Sequence, residues 1–128
     1  MNLLIDTQAI IWFAENNSQL STKARSVMED TDNDCFVSMA SFREISIKMN
    51  LGKLNINNLT LSEFMDEIAE NGFPTLDIQR GHVLENEKLP LLHRDPFDRL
   101  IIAQAIFENM PVVSSDSAFD LYPVQRIW

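Results

Sequence analysis

No feature of this sequence narrows its fold more than the run His93-Arg94-Asp95-Pro96-Phe97-Asp98-Arg99, which leads straight into Leu-Ile-Ile-Ala-Gln-Ala at 100–105. Asp95 suits a helix N-cap, because its carboxylate can accept the free N–H groups of a first turn. Pro96 then falls at the first helical position, where its missing N–H costs nothing. Asp98 lands at N3, the far corner of a capping box, and the positive end of the helix dipole favours its ionised form there. Leu100 to Ala103 and Ala105 to Phe107 are apolar almost all round, so the helix is predicted to be buried on most faces. Two carboxylates are thus presented at the mouth of a buried helix.

The rest of the chain alternates between strand and helix signals. Leu3-Leu4-Ile5 is a short apolar run ending at Asp6 and reads as a buried strand. Asp6 or Thr7 caps a helix through Trp12 and Phe13, and Ser21 opens a second helix to about Glu29. The acidic connection from Glu29 to Asp34 starts like a calcium loop but lacks the required Gly and Glu, so it reads as a solvated loop. Cys35 to Ser38 is a second strand. A helix from about Ser41 to Leu51 follows, stopped by Gly52. Its core stripe is Phe42, Ile45 and Met49, with Glu44 off the stripe. Thr60-Leu61-Ser62-Glu63 is a capping box, and Gly72 closes that helix. Phe73 to Ile78 contains Pro74 and reads as an edge strand. A short helix spans about Gln79 to Asn86, with His82 on its surface. Pro111 to Asp116 is a strand ending in an acid, and Val124 to Trp128 is a last short strand.

This alternation implies an α/β fold with a central parallel sheet and helices on both faces. The 128 residues form one domain in this reading, residues 1–128, long enough for a real core. The single Cys35 has no internal partner, which fits a reducing cytoplasm. The longest apolar run, Ala9 to Ala14, is too short to span a bilayer, and the N-terminus lacks the basic start of a signal peptide.

In parallel sheets, ligands bind beyond the carboxyl ends of the strands. Asp6 and Asp116 stand at such ends. Glu44 and Asp98 stand in the first turns of helices. All four can share one rim, although they are far apart in sequence. Two carboxylates about 5 Å apart repel by roughly 3 kcal/mol at an effective dielectric of ~20. Three or four therefore need protons or a hard cation, and oxygen ligands select Mg²⁺ or Mn²⁺. Such an ion keeps waters, one of which can attack a phosphodiester while the metal offsets charge on the phosphate oxygens. Asp6, Asp98 and Asp116 are the expected metal ligands, with Glu44 completing the catalytic set. Thr7, Ser114 and Ser115 are hydroxyls suited to orient the acids. Arg94, Arg99, Lys48 and Lys53 are candidate phosphate contacts. They matter because a net charge of −9 opposes unaided binding to a polyanion.

Each acid also has a local explanation. Glu44 can pair with Lys48 at i+4. Asp98 can be a capping acid, Asp95 an N-cap, and Asp6 and Asp116 turn formers. Jointly these explanations weaken, because Asp6 directly follows an apolar strand and is costly there without a partner. No G-x-S-x-G is present, and His82 and His93 have no evident serine partner. With three glycines in all, the chain holds neither a P-loop nor a dinucleotide fingerprint. The Ile10, Trp12 and Phe13 cluster reads as core or a subunit contact.

Four stretches resemble the PIN-domain ribonucleases, specifically the VapC-like toxins of bacterial toxin–antitoxin pairs. They are LLIDTQAIIWF (3–13), FREISIKMNLGKL (42–54), LPLLHRDPFDRLIIAQA (89–105) and VVSSDSAFDLYPVQRIW (112–128). The resemblance implies a three-layer sandwich with sheet order 3-2-1-4-5 and Mg²⁺- or Mn²⁺-dependent endonucleolytic cleavage of RNA. The family's acids fall on Asp6, Glu44, Asp98 and Asp116, and its hydroxyl near the last acid on Ser114, where many relatives carry Thr. Gln8 stands where many relatives have His, and Arg43 replaces a common aromatic; neither removes a ligand. Family members commonly dimerise and are inhibited by a small antitoxin, so a homodimer and a cognate antitoxin are the implied partners besides RNA.

Two other acid-based chemistries fit the sequence less well. A phosphoaspartyl phosphatase needs a second Asp two residues after the first, and position 8 is Gln. A receiver module needs paired acids after the first strand, also missing. The alternative that stays open is a non-catalytic interaction module of the same fold, binding a protein partner or RNA.

Overall fold

A computed structural model describes residues 1–128. Leu3, Leu4 and Ile5 are fully buried. A strand apolar on both faces has to be central and covered from both sides. That strand, β1 (Asn2–Ile5), pairs in parallel with β2 (Asp34–Ser38) on one side and β4 (Val112–Val113) on the other. β3 (Thr75–Leu76) and β5 (Arg126–Ile127) form the two edges. The all-parallel order is β3-β2-β1-β4-β5, the 3-2-1-4-5 arrangement that the resemblance implies. Pro74 stands just before the edge strand, where a lost donor is tolerated.

Alternation along β1 divides the core. Leu3 and Ile5 face α1 (Thr7–Ala14), α2 (Thr22–Glu29), α3 (Met39–Asn50) and α4 (Leu61–Glu70) in one apolar cluster. Leu4 faces the opposite cluster, which contains Ile101, Ile102, Ala103 and Ala105 of α6 (Pro96–Glu108). α5 (Arg80–Lys88) packs on α6. The result is a three-layer sandwich. No helix is long and apolar enough to cross a membrane.

The caps follow local chemistry. Ser21 accepts the Ala24 amide, and Thr60 with Glu63 forms the full capping box. Gly52 and Gly72, with φ of 69° and 85°, take the left-handed conformation that ends α3 and α4. Three expectations are corrected. α3 begins at Met39, because Ser38 is its cap and accepts the Ala40 amide. The strands expected at 73–78, 111–116 and 124–128 pair over two residues each. β4 stops at Val113 because the next turn closes on itself, the Asp116 amide donating to the Ser114 hydroxyl at 3.0 Å.

The third correction concerns α5, where His82 is fully buried, not on the surface, while Val83 and Leu84 are about half exposed. Gly81 explains the reversal. A Cβ there would collide with the Phe107 ring, so α5 approaches α6 through Gly81 and turns His82 inward. His82 then holds both helices, with Nδ1 accepting the Gln79 amide at 3.0 Å and Nε2 2.9 Å from Glu108 Oε1.

Candidate functional site

The strand order reverses at β1, whose neighbours β2 and β4 connect in opposite directions, and this is where parallel sheets bind ligands. Asp6 is the first residue beyond β1. Its amide donates to the Val113 carbonyl at 3.0 Å, which aligns it with Ser114 at the end of β4. Its Oδ1 accepts the Ala9 amide at 2.8 Å and so caps α1. Asp6 is 5% exposed.

The other acids arrive from three further elements. Glu44 projects from the second turn of α3 and is buried, with Oε2 2.7 Å from Lys48 Nζ. The expected local pairing is therefore real. Asp98 comes from the first turn of α6, and Asp116 from the turn after β4, where its Oδ1 accepts the Ala118 amide. Asp6, Glu44, Asp98 and Asp116 line one cleft of about 170 Å³ with Thr7, Lys48 and Ser115. A larger open groove of about 490 Å³ lies beside α3 and residues 54–61, but no titratable group lines it. Size alone points away from the chemistry here.

Asp95 plays the capping part expected of it, Oδ1 accepting the Phe97 and Asp98 amides at 2.8 and 3.2 Å. The capping box does not form, however. Asp98 turns its carboxylate toward His93, 3.2 Å from Nε2, and the expected preference for its ionised form is overturned. Burial pushes the Asp98 carboxyl up to about 7, and the charges of Asp95, Asp6 and Glu44 add to it against a smaller pull from His93. One helix-end dipole does not offset desolvation plus three like charges.

Burial is also the main force on Asp6, pushing its carboxyl up to about 6. A hydrogen bond from Ser114 and the Ala9 amide oppose the rise; Asp116 and Glu44 reinforce it. Asp116 differs. Burial raises it, but the Ala118 amide, His93 and Arg126 together outweigh that and hold it below the usual carboxylate value. The hydrogen bond that Lys48 donates to Glu44 holds its ammonium above the ordinary value. The cleft thus gathers four acids, and two of them resist ionisation.

Among the hydroxyls, Thr7 is buried and donates to Ser41 at 2.8 Å, Ser114 is fully buried between Asp6 and Asp116, and Ser115 is exposed at the lip. Arg94 and Lys53 are exposed and carry no ion pair. Arg99 departs from the expectation of a free phosphate contact. Its guanidinium donates to the Leu89, Pro90 and His93 carbonyls and to the Tyr122 hydroxyl, pinning the loop ahead of α6.

His93 is the residue that sequence reasoning passed over. Its Nε2 stands 2.9 Å from Asp116 Oδ2 as well as near Asp98, and the donor atoms of these three residues lie within 4.8 Å of one another. Its position two residues ahead of a helix cap, with an acid at N3, was the one available signal.

The PIN domain family profile matches residues 3–124. No curated protein matches the chain by sequence. Among solved structures, the chain is similar to VapBC2 from Rickettsia felis bound to a DNA fragment from its promoter. That match has a TM-score of 0.75 and 16% identity, and covers 98% of this chain and 97% of the other. It is also similar to a toxin–antitoxin complex from Klebsiella pneumoniae, with a TM-score of 0.60 and 16% identity over 94% of this chain and 92% of the other.

Proposed function

This chain belongs to the PIN domain family, and from that premise we propose that it is a divalent-metal-dependent endoribonuclease acting as the toxin of a toxin–antitoxin pair. The single observation that carries the reading is the cleft itself. Four acids from separate elements line it, and Asp6 and Asp98 sit near 6 and 7, where the cluster takes up either protons or a cation. The donor set fits a hard ion, since carboxylate oxygens suit Mg²⁺ or Mn²⁺ and Asp6, Asp98 and Asp116 would hold it. When bound, the ion supplies Lewis acidity toward a phosphate and makes water a better nucleophile at neutral pH.

The chain's own groups do the remainder. Glu44 Oε2 is taken by Lys48, which leaves Oε1 as the proton acceptor for an attacking water. Lys48, about half exposed on the cleft wall, and Arg94 meet phosphate oxygens. Ser114 and Thr7 fix the acids' surroundings from behind. The −9 charge means RNA approaches only where the cleft is locally neutralised. Residues 1–128 act as one nuclease domain in this reading, in the cytoplasm, and a cognate antitoxin and a homodimer are its proposed assemblies. The likeness of fold to two toxin–antitoxin complexes supports the antitoxin partner.

Incubation of the purified protein with total RNA tests the function. Cleavage is expected with Mg²⁺ or Mn²⁺, none in EDTA, and none for a folded Asp98→Asn variant. Full-rate cleavage without metal, or by the variant, overturns the reading.

A further inference from the structure

We propose that His93 is a positioning residue for Asp116 and the neighbouring Asp98, presenting Nε2–H to them, and not a ligand to the metal. This rests on the metal-site reading above. His93 lies in the loop between α5 and α6, and its Nδ1 accepts the Asp95 amide N–H at 3.1 Å. A backbone amide can only donate, so Nδ1 must present a lone pair. In a neutral ring the single proton is then on Nε2. That N–H is hydrogen-bonded to Asp116 Oδ2 at 2.9 Å, and Asp98 Oδ2 stands beside it, 3.2 Å from the same nitrogen.

The ring has little freedom to do otherwise. It packs edge-on to Phe119 with centroids 6.0 Å apart. The His93 amide donates to the Tyr122 hydroxyl at 2.8 Å, and the His93 carbonyl accepts from Arg99. Three contacts beyond the acids therefore hold backbone and ring in place.

The same tautomer argues against ligation, even though the spacing of His93, Asp98 and Asp116 resembles a metal triad. A histidine that binds metal through Nε2 carries its proton on Nδ1 and donates it to a carboxylate or carbonyl. Here Nδ1 faces a donor, and ligation would set two N–H groups against each other. As a donor, by contrast, His93 completes the arrangement. Asp116 is gripped at both oxygens, by Ala118 and by His93, and Asp98 Oδ2 stands 3.2 Å from the same nitrogen. Acids from two elements are thereby set in mutual position before an ion arrives. Partners of this kind are worth about 10–100-fold in metal affinity.

Nitrogen-15 NMR of the metal-free and Mg²⁺-loaded wild-type protein at pH 8 reads the tautomer directly. The expected result is a protonated Nε2 and a bare Nδ1 in both states. A shift of the proton to Nδ1, with Nε2 perturbed by the metal, would make His93 a ligand and overturn the proposal. Mn²⁺ titration followed by electron paramagnetic resonance supplies the second readout. His93→Ala is expected to weaken binding about 10–100-fold, and His93→Gln, whose amide is a donor of similar reach, to recover part of it. Unchanged affinity in His93→Ala refutes the role, as does equal loss in both variants. If the wild type binds no Mn²⁺, the metal-site reading fails instead, while the metal-free spectrum still decides the tautomer.

Discussion

Replacing Asp98 with asparagine should stabilise the metal-free protein at pH 8 while ending its response to metal. The Asp98 carboxyl sits near 7 in the fold, against an ordinary value of 3.8. A value raised by folding means that the protonated form is favoured in the native state. The associated stability is full below about pH 4 and is lost as pH rises through about 7. At pH 8 the ionised carboxylate weakens the fold by at most about 4 kcal/mol. Asp6 shares part of that repulsion, so removing one charge recovers about 2–4 kcal/mol, or roughly 7–15 °C in Tm for a chain of this length. Asparagine keeps the shape and removes the charge. Urea unfolding in EDTA is the assay. The variant is expected to exceed the wild type by this margin at pH 8, with the gain shrinking toward zero at pH 4.5, where the wild-type acid is already protonated. A variant no more stable than the wild type at pH 8 would refute the claim that the cleft is electrostatically strained without a cation.

Three further outcomes follow from the same geometry. Mn²⁺ affinity should fall steeply from pH 8 to 5.5, because Asp6 and Asp98 must give up protons at values near 6 and 7 before a cation can replace them. Calorimetry should show net proton release, and a flat profile would contradict it. His82→Ala should destabilise the protein by about 2–3 kcal/mol in urea, since it opens a void at a fully buried position and removes the link between the Gln79 amide and Glu108. Mn²⁺ affinity in that variant should stay within a few-fold of wild type, because His82 lies outside the cleft. Arg99→Lys should recover little of the roughly 2–3 kcal/mol lost in Arg99→Ala, because one ammonium cannot reproduce a planar fork that reaches several oxygens. Chemical denaturation of the pair measures this directly.

What the sequence revealed was whatever local rules decide. Ser21, Thr60 with Glu63, and Asp95 were readable as caps because a cap involves only the next three residues. The central strand was readable because Leu3 to Ile5 is apolar on both faces. The gathering of Asp6, Glu44, Asp98 and Asp116 followed from placing each at a strand end or a helix start. Misreadings arose where a distant partner decides. The Asp98 carboxyl is raised by burial first, then by the neighbouring Asp95 and by Asp6 across the cleft, and only the burial and Asp6 depend on distant parts of the chain. The inward turn of His82 depends on Gly81 meeting Phe107 on another helix. Arg99 looked free because the carbonyls it holds lie in a loop with no pattern of its own. His93 had only its place ahead of the α6 cap as a signal, because its hydrogen-bond partner Asp116 is 23 residues away.

Anomalous diffraction from a crystal soaked in Mn²⁺ puts the metal-centre assignment to the most direct test. The expected result is one or more peaks inside the cleft, within bonding distance of carboxylate oxygens of Asp6, Asp98 and Asp116, with His93 Nε2 outside that distance. A saturated crystal with no peak there, or with the ion held by residues that exclude these acids, would contradict it.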